Sequence, residues 1–235
     1  MIKTALILAG GFGTRLQSIV KDVPKPMAPI NGIPFLDYQL FYLKQQGISQ
    51  VILSVGHLFE AIRQRYQTNF NGLEIKYAIE DSPLGTGGAI RLAINQCDDE
   101  EVLALNGDSF FDISLPSFFE MHSSHKSNFS LALRGIENAA RYGTIELSEN
   151  RIVSFKEKTG QQVAGLINAG VYILNRSLFL QHTQAITFSI EKDFFEKHIQ
   201  SIPIYGFQLP GYFIDIGIPE DFHQAQNDFK RFKYQ

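Results

Sequence analysis

One cysteine, Cys97, stands in 235 residues, so no disulfide can form within the chain. A disulfide-stapled secreted fold is excluded, and a reducing compartment, the cytoplasm, is expected. Cys97 reads as a small core filler, because no histidine-centred constellation surrounds it in sequence. No apolar run approaches the roughly 20 residues of a membrane span. The first apolar stretch, residues 5–9, is shorter than a signal-peptide core and ends in a glycine turn, so it reads as a buried strand. There is no basic excess: the net charge is −3, which removes the electrostatic case for nucleic acid or an anionic membrane as partner. The six histidines show no metal-ligand spacing. Low-complexity linkers and internal repeats are missing too. What remains, 44% hydrophobic and 19% charged, is ordinary for a globular protein with ample length for a core.

The densest signal is Leu8-Ala9-Gly10-Gly11-Phe12-Gly13-Thr14-Arg15-Leu16, followed by Pro24-Lys25-Pro26-Met27. A strand over 2–8 runs into a turn almost free of side chains. Such a turn lets backbone N–H groups approach a ligand closely and suits phosphates and base edges. Arg15 and Lys25 add positive charge where a polyphosphate would lie. The P-loop pattern is not met, and the dinucleotide fingerprint fails at Leu16, where its last glycine would stand. The bland alternative is an ordinary strand-to-helix turn, which has no need of Arg15 and Lys25.

Apolar runs at 2–8, 51–55, 73–79 and 102–105 read as buried strands. Helical patterns alternate with them, at 36–43 with Gly47 as a stop, at 58–66, at 89–95 and at 115–122. Alternation argues for a parallel sheet with helices on both faces, binding ligands at the carboxyl ends of its strands. The Gly10 turn, Glu80-Asp81 and Asn106-Gly107-Asp108 all follow strands and are expected at that one edge. From residue 129 strands dominate, at 130–133, 143–147, 152–156 and 167–174, with a hairpin turn at Glu149-Asn150. A helix at 190–199, a strand at 202–207 and a last helix at 220–232 complete the pattern.

The Gly-Gly-x-Gly-Thr-Arg-Leu string with its Pro-Lys-Pro resembles the signature of sugar-1-phosphate nucleotidyltransferases, and the resemblance runs from Leu8 to Asp221. It implies a Rossmann-like three-layer α/β sandwich with a mostly parallel sheet and a strand-rich sugar-binding lid. One domain over 1–235 is expected: a nucleotide-binding core at 1–127, a sugar-binding part at 128–215, and a C-terminal helix at 216–235. The implied reaction joins a nucleoside triphosphate to a sugar 1-phosphate with loss of pyrophosphate. It needs Mg²⁺, which typically takes one or two carboxylates plus phosphate oxygens.

By that resemblance Asp108 and Asp215 bind the metal, and Arg15, Lys25, Asp108 and Asp215 form the catalytic set. Arg15 meets the β- and γ-phosphates; Lys25, held by its two prolines, meets the α-phosphate. Leu8, Gly10, Gly11, Gly13, Thr14, Arg15, Glu80, Pro83, Gly85, Thr86 and Gly107 hold the nucleotide. Gly143 admits the sugar ring, Glu157 and Asn168 bond its hydroxyls, and Lys158 binds its phosphate. Each has a plainer alternative: a cap or turn for the aspartates, an exposed loop for Lys25, a packing helix start at 85–88, and a solvated hairpin edge for Glu157. Asp112 and Asp221 are weaker carboxylate candidates, and Asp221 reads also as a first-turn acid of the last helix. The segment Ser189-Ile190-Glu191-Lys192-Asp193 resembles another family stretch, either structural or sugar-facing.

Leu84-Gly85-Thr86-Gly87-Gly88 looks like guanylyl- and some uridylyltransferases, so GTP is the favoured donor. Overall resemblance favours heptose 1-phosphate as acceptor, for surface polysaccharide synthesis. Mannose 1-phosphate, or N-acetylmuramate 1-phosphate with UTP, remains open. A non-catalytic nucleotide-sugar-binding regulator would be expected to have lost one of Arg15, Lys25, Asp108, Lys158 or Asp215, and all are present. A glycosyltransferase would show Asp-x-Asp where this chain has Asn106-Gly107-Asp108.

Overall fold

A computed structural model describes residues 2–11, 16, 23–156, 158 and 160–234. Four expected site residues, Gly13, Thr14, Arg15 and Glu157, lie outside them. The first half contains β1 (Thr4–Leu8), β2 (Pro29–Ile30), β3 (Ile33–Pro34), α1 (Phe35–Gln45), β4 (Gln50–Val55), α2 (Phe59–Tyr66), β5 (Asn69–Phe70), β6 (Leu73–Ile79), α3 (Gly85–Ile94), β7 (Glu101–Asn106), β8 (Ser109–Phe111) and α4 (Leu115–Ser124). The second contains β9 (Phe129–Ile136), β10 (Thr144–Ser148), β11 (Arg151–Lys156), β12 (Gly165–Asn175), α5 (Arg176–His182), a π-wound turn over Ile190–Phe195, α6 (Glu196–His198), β13 (Ile204–Gln208), β14 (Phe213–Asp215) and α7 (Pro219–Asp228).

Ten strands form one sheet in the order β10-β11-β13-β9-β12-β7-β1-β4-β6-β5. The run β7-β1-β4-β6 is parallel throughout, as the strand–helix alternation requires. Beyond it the sheet is mixed, because β12 lies antiparallel between β7 and β9. The continuous parallel run therefore belongs to the first half, and in the second half only β13 and β9 pair parallel. The strand-rich part continues the same sheet through β12. Along β1, Ala5 and Ile7 face one apolar cluster and Leu6 the other, the period-2 alternation of a strand covered on both sides. Residues of α1, α2, α4 and α7 fill the first cluster. Those of α3, α5 and the π-wound turn fill the second, where Cys97 also lies buried as expected.

Several elements differ from expectation: the helix expected at 190–199 is π-wound over Ile190–Phe195, and β2, β3, β5, β8 and β14 are added short strands. Helix α3 starts at Gly85, four residues early, with the glycines inside its first turn. Helix α5 was not anticipated: β12 runs straight into it, and Asn175 is both the last strand residue and the cap, its Oδ1 accepting from Leu178 N–H at 2.8 Å. The last helix stops at Asp228 and tightens into a 3₁₀ turn over Phe229–Arg231.

Candidate active site

The carboxyl ends of β1, β6 and β7 meet at one cavity of about 280 Å³. Its lining includes every described residue of the expected nucleotide set: Leu8, Gly10, Gly11, Glu80, Pro83, Gly85, Thr86 and Gly107, with Lys25, Asn106 and Asp108 beside them. The strand ends are tied together by backbone. Ala9 N–H donates to Ser54 O at 2.7 Å, Glu80 N–H to Val55 O at 2.8 Å, and Gly107 N–H to Leu8 O at 3.1 Å. A Cβ on Gly107 would stand 2.3 Å from Leu8 O, so only glycine lets β7 turn past β1 here. The carboxylate of Glu80 is held at two points: Oε1 accepts from Ser54 Oγ at 3.0 Å, and Oε2 from Leu84 N–H at 3.2 Å.

The glycines in the first turn of α3 all serve close packing, and the first also lines the cavity: a Cβ on Gly85, at φ +70°, would lie 2.6 Å from Phe188 O. Gly85 and Thr86 line the cavity. Gly87 and Gly88 are packing glycines, as the plainer alternative held: a Cβ would lie 2.2 Å from the Phe188 ring and 2.2 Å from Ile186 O respectively. Gly87 N–H and Gly88 N–H donate to Phe188 O at 2.9 and 3.4 Å, and Phe188 N–H returns a bond to Leu84 O at 3.0 Å.

Lys25 opens a 3₁₀ turn between Pro24 and Pro26, and its side chain is 8% exposed. Its Nζ donates to Asp108 Oδ2 at 2.5 Å. The short strand β14 pairs antiparallel with β8, which sets Asp215 opposite Ser109, next to Asp108. Ile216 N–H donates to Asp108 O at 2.9 Å and Gly217 N–H to Asp215 Oδ1 at 2.7 Å. A Cβ on Gly217 would be 2.7 Å from Asp215 Oδ1 and 3.0 Å from Lys25 Nζ, so the three groups converge on one point. The Asp215 carboxyl is held above its ordinary pKa, first by burial and then by the charge of Asp108, with Lys25 opposing both. Two carboxylates thus face a lysine ammonium that sits where a cation belongs. Two carboxylates against one ammonium leave net negative charge on hard oxygen donors, which suits Mg²⁺. The residues present fit that ion.

Gln39 was not anticipated. From the buried face of α1 its Nε2 donates to Asn106 O at 2.8 Å and Ser109 O at 2.9 Å, clamping the turn that carries Asp108. A polar residue among the buried Phe35, Leu36, Tyr38, Leu40, Tyr42 and Leu43 was the signal that could have found it. Asn106 Oδ1, at the cavity wall, is buried with no hydrogen-bond partner among the described residues.

A second cavity, about 300 Å³, opens between β10, β12 and the π-wound turn. It brings together Gly143 and Asn168 of the expected sugar set, with Tyr142, Lys156, Ser189 and Glu191. Lys158 is exposed beyond the end of β11 and is not among the residues lining either cavity. Asp112 and Asp221 serve other contacts. Asp112 accepts from Tyr234 Oη at 2.7 Å and pairs with Lys233 at 2.9 Å. Asp221 pairs with Arg141 at 2.7 Å.

The chain matches the Nucleotidyl transferase family over residues 4–231, and it belongs to that family. It is 45% identical over 228 residues to D-glycero-alpha-D-manno-heptose 1-phosphate guanylyltransferase of Aneurinibacillus thermoaerophilus, covering 97% of this chain and 99% of that one. The protein of the same name from Campylobacter jejuni is 43% identical, covering 93% and 96%. The crystal structure of HddC from Yersinia pseudotuberculosis superposes with a TM-score of 0.87 at 36% identity, over 97% of this chain and 100% of that one. HddC complexed with GMP-PN superposes with a TM-score of 0.86.

Proposed function

We propose that this chain transfers GMP from GTP to D-glycero-α-D-manno-heptose 1-phosphate, giving a GDP-sugar and pyrophosphate for surface polysaccharide synthesis. The observation that carries the reading is the single cavity at three strand ends, in which the glycine turn, Lys25 and Asp108 stand together. Relatives at 43–45% identity with near-complete mutual coverage carry the heptose guanylyltransferase name, which supports the choice of substrates.

In this reading Leu8, Gly10 and Gly11, with Gly13 and Thr14, receive the nucleoside and its phosphates. Arg15 neutralises the β- and γ-phosphates, and Lys25 the α-phosphate. Asp108 and Asp215 would hold Mg²⁺, which when bound supplies positive charge against the triphosphate. The sugar-phosphate oxygen is already an anion at neutral pH and needs no strong base. It forms a bond to the α-phosphorus as the bond from that phosphorus to the β-bridging oxygen breaks, and the electron pair leaves with pyrophosphate. Positioning and charge do the catalysis. Gly143, Glu157, Asn168 and the exposed Lys158 are assigned to the sugar phosphate. Glu80 favours guanine: its carboxylate only accepts hydrogen bonds, and guanine offers adjacent N1–H and N2–H donors where uracil offers one. Residues 1–235 act here as one catalytic domain, placed in the cytoplasm; a lone cysteine, with no disulfide to form within the chain, fits a reducing compartment.

The test is a grid of GTP, UTP, dTTP and ATP against heptose, mannose and N-acetylmuramate 1-phosphates, with Mg²⁺ and pyrophosphate release as readout. The expected result is GTP with heptose 1-phosphate exceeding every other pair by at least about tenfold in kcat/KM, or 1.4 kcal/mol. A preference for mannose 1-phosphate would overturn the sugar assignment, and a preference for UTP the role given to Glu80.

A further inference from the structure

Glu191 joins the two cavities. Its Oε2 accepts from Thr86 Oγ at 2.8 Å and from Ser189 Oγ at 2.8 Å. Its Oε1 accepts from Tyr172 Oη at 3.2 Å. The same Tyr172 oxygen accepts from Asn168 Nδ2 at 2.8 Å, while Asn168 Oδ1 accepts from Gly170 N–H at 3.0 Å. Thr86 lines the first cavity; Asn168 and Glu191 line the second. Three hydrogen bonds thus run from the wall of one to the wall of the other.

The path is fastened at its Thr86 end by more than one bond. Thr86 Oγ also accepts from Ile190 N–H at 3.0 Å, so the start of α3 is fastened to the π-wound turn by side chain as well as by the Phe188 backbone. π-type turns are rare and recur at functional sites. Tyr172 is fully buried, and burial first, then the charge of Glu191, pushes its hydroxyl pKa far up, so it stays a neutral donor. Gly170, at φ +72°, carries the β12 irregularity between Asn168 and Tyr172; a Cβ there would lie 2.5 Å from Asn106 Nδ2.

We infer that Glu191 is a positioning residue that couples the nucleotide and sugar-phosphate subsites through the relay Thr86–Glu191–Tyr172–Asn168, so that each substrate binds more tightly when the other is present. The inference rests on the assignment of the two cavities given above. The direction of donation gives it content. A carboxylate at 191 receives hydroxyl protons from both sides and fixes the orientation of each. Rearrangement of Asn168 around a bound sugar then changes the Tyr172 donation, and through Glu191 the setting of Thr86.

The test measures the Kd of an α,β-methylene GTP analogue, whose α–β bridge cannot break, with Mg²⁺, alone and with saturating D-glycero-α-D-manno-heptose 1-phosphate. The wild-type ratio of the two values is expected to be at least about fivefold, the lower end of measured couplings. Tyr172→Phe cuts the relay in its middle at nearly constant volume. It should leave the analogue's Kd without sugar within about threefold of wild type and bring the ratio to within about twofold of one. Glu191→Gln places an N–H₂ donor against a hydroxyl donor and should abolish the ratio as well. A purely structural role would lower melting temperature and shift both Kd values together, keeping the ratio, and that outcome would overturn the inference. So would a wild-type ratio of one. If the wild-type protein binds neither ligand, the substrate assignment itself has failed, which is a different result from two ligands that bind without coupling.

Discussion

Alanine at Gly11 and at Gly107 separates the two tasks glycine performs around this cavity. At Gly107 the new Cβ would meet Leu8 O at 2.3 Å and Leu8 C at 3.0 Å, atoms of a neighbouring strand in the middle of the sheet. Relief requires the ends of β1 and β7 to part. Overpacking of this kind costs about 1–3 kcal/mol. For a chain of this size 1 kcal/mol corresponds to about 2–4 °C, so the melting temperature should fall by roughly 2–12 °C. At Gly11 a Cβ meets nothing within 4 Å among the described residues, and the backbone is outside the left-handed region. Stability should hold, or rise by about 0.4–1 kcal/mol as the unfolded chain loses freedom. A phosphate resting on this turn would nevertheless collide with the methyl group. Losing one charge-assisted hydrogen bond costs about 1.5–3 kcal/mol, which is about 10- to 150-fold in Kd. Thermal denaturation of both variants, with calorimetric titration of a nonhydrolysable GTP analogue in Mg²⁺, gives both numbers. Gly11→Ala binding within threefold of wild type would refute the placement of the phosphates. A melting temperature as low as that of Gly107→Ala would make Gly11 a packing glycine.

Two further outcomes follow from the titration behaviour. Burial and Asp108 raise the folded-state pKa of Asp215 above its unfolded value, so its ionised form is penalised by folding: stability falls as pH rises through that interval, and the full penalty is present above it. Asp215→Asn should therefore melt higher than wild type at pH 7 while losing about 10²-fold or more in Mg²⁺-dependent turnover; a lower melting temperature would contradict the assigned electrostatics. His122 has the opposite sign. Burial lowers its pKa despite Glu101 at 3.3 Å, and its ring also bonds Ser130 at 2.8 Å. The unfolded chain then binds the proton more tightly, so wild-type stability should fall as pH drops from about 7.5 toward 5.5, through the unfolded pKa of about 6.5. His122→Asn should flatten that slope in urea denaturation series, and an unchanged slope would exclude His122 as its source.

What was legible in sequence follows from the range of the interaction that decides it. Apolar periodicity and glycine turns are local, and they placed the Gly10 turn, Glu80 and Asp108 at one sheet edge correctly. That Gly85, Gly87 and Gly88 all pack against one distant segment could not be read by the same means. Their neighbours, Phe188 and Ile186, lie about a hundred positions away in the chain. Gln39 was hidden for a like reason, since its two acceptors lie 67 and 70 residues on. Where the strand-rich part joins the sheet was not specified, because nothing local marks β12 as the strand that inserts antiparallel beside β7.

Asp215 shows most sharply where local information ends. A carboxylate closing an apolar triplet was visible, but which edge it would reach was not. Its place depends on the β14–β8 register, which opposes Asp215 to Ser109 and Phe213 to Phe111. Shifting that pairing by one residue would send the carboxylate to the opposite face of the ribbon, away from Lys25 and Asp108. Three features resist the slip: Ile214 is 7% exposed and belongs to the apolar cluster beneath, Ile216 N–H is bonded to Asp108 O, and Gly217 N–H closes on Asp215 Oδ1. The electrostatic cost of bringing two carboxylates together is therefore offset by apolar packing and backbone pairing in the same short segment and in part by Lys25, which leaves the net negative charge of the pair available to a cation.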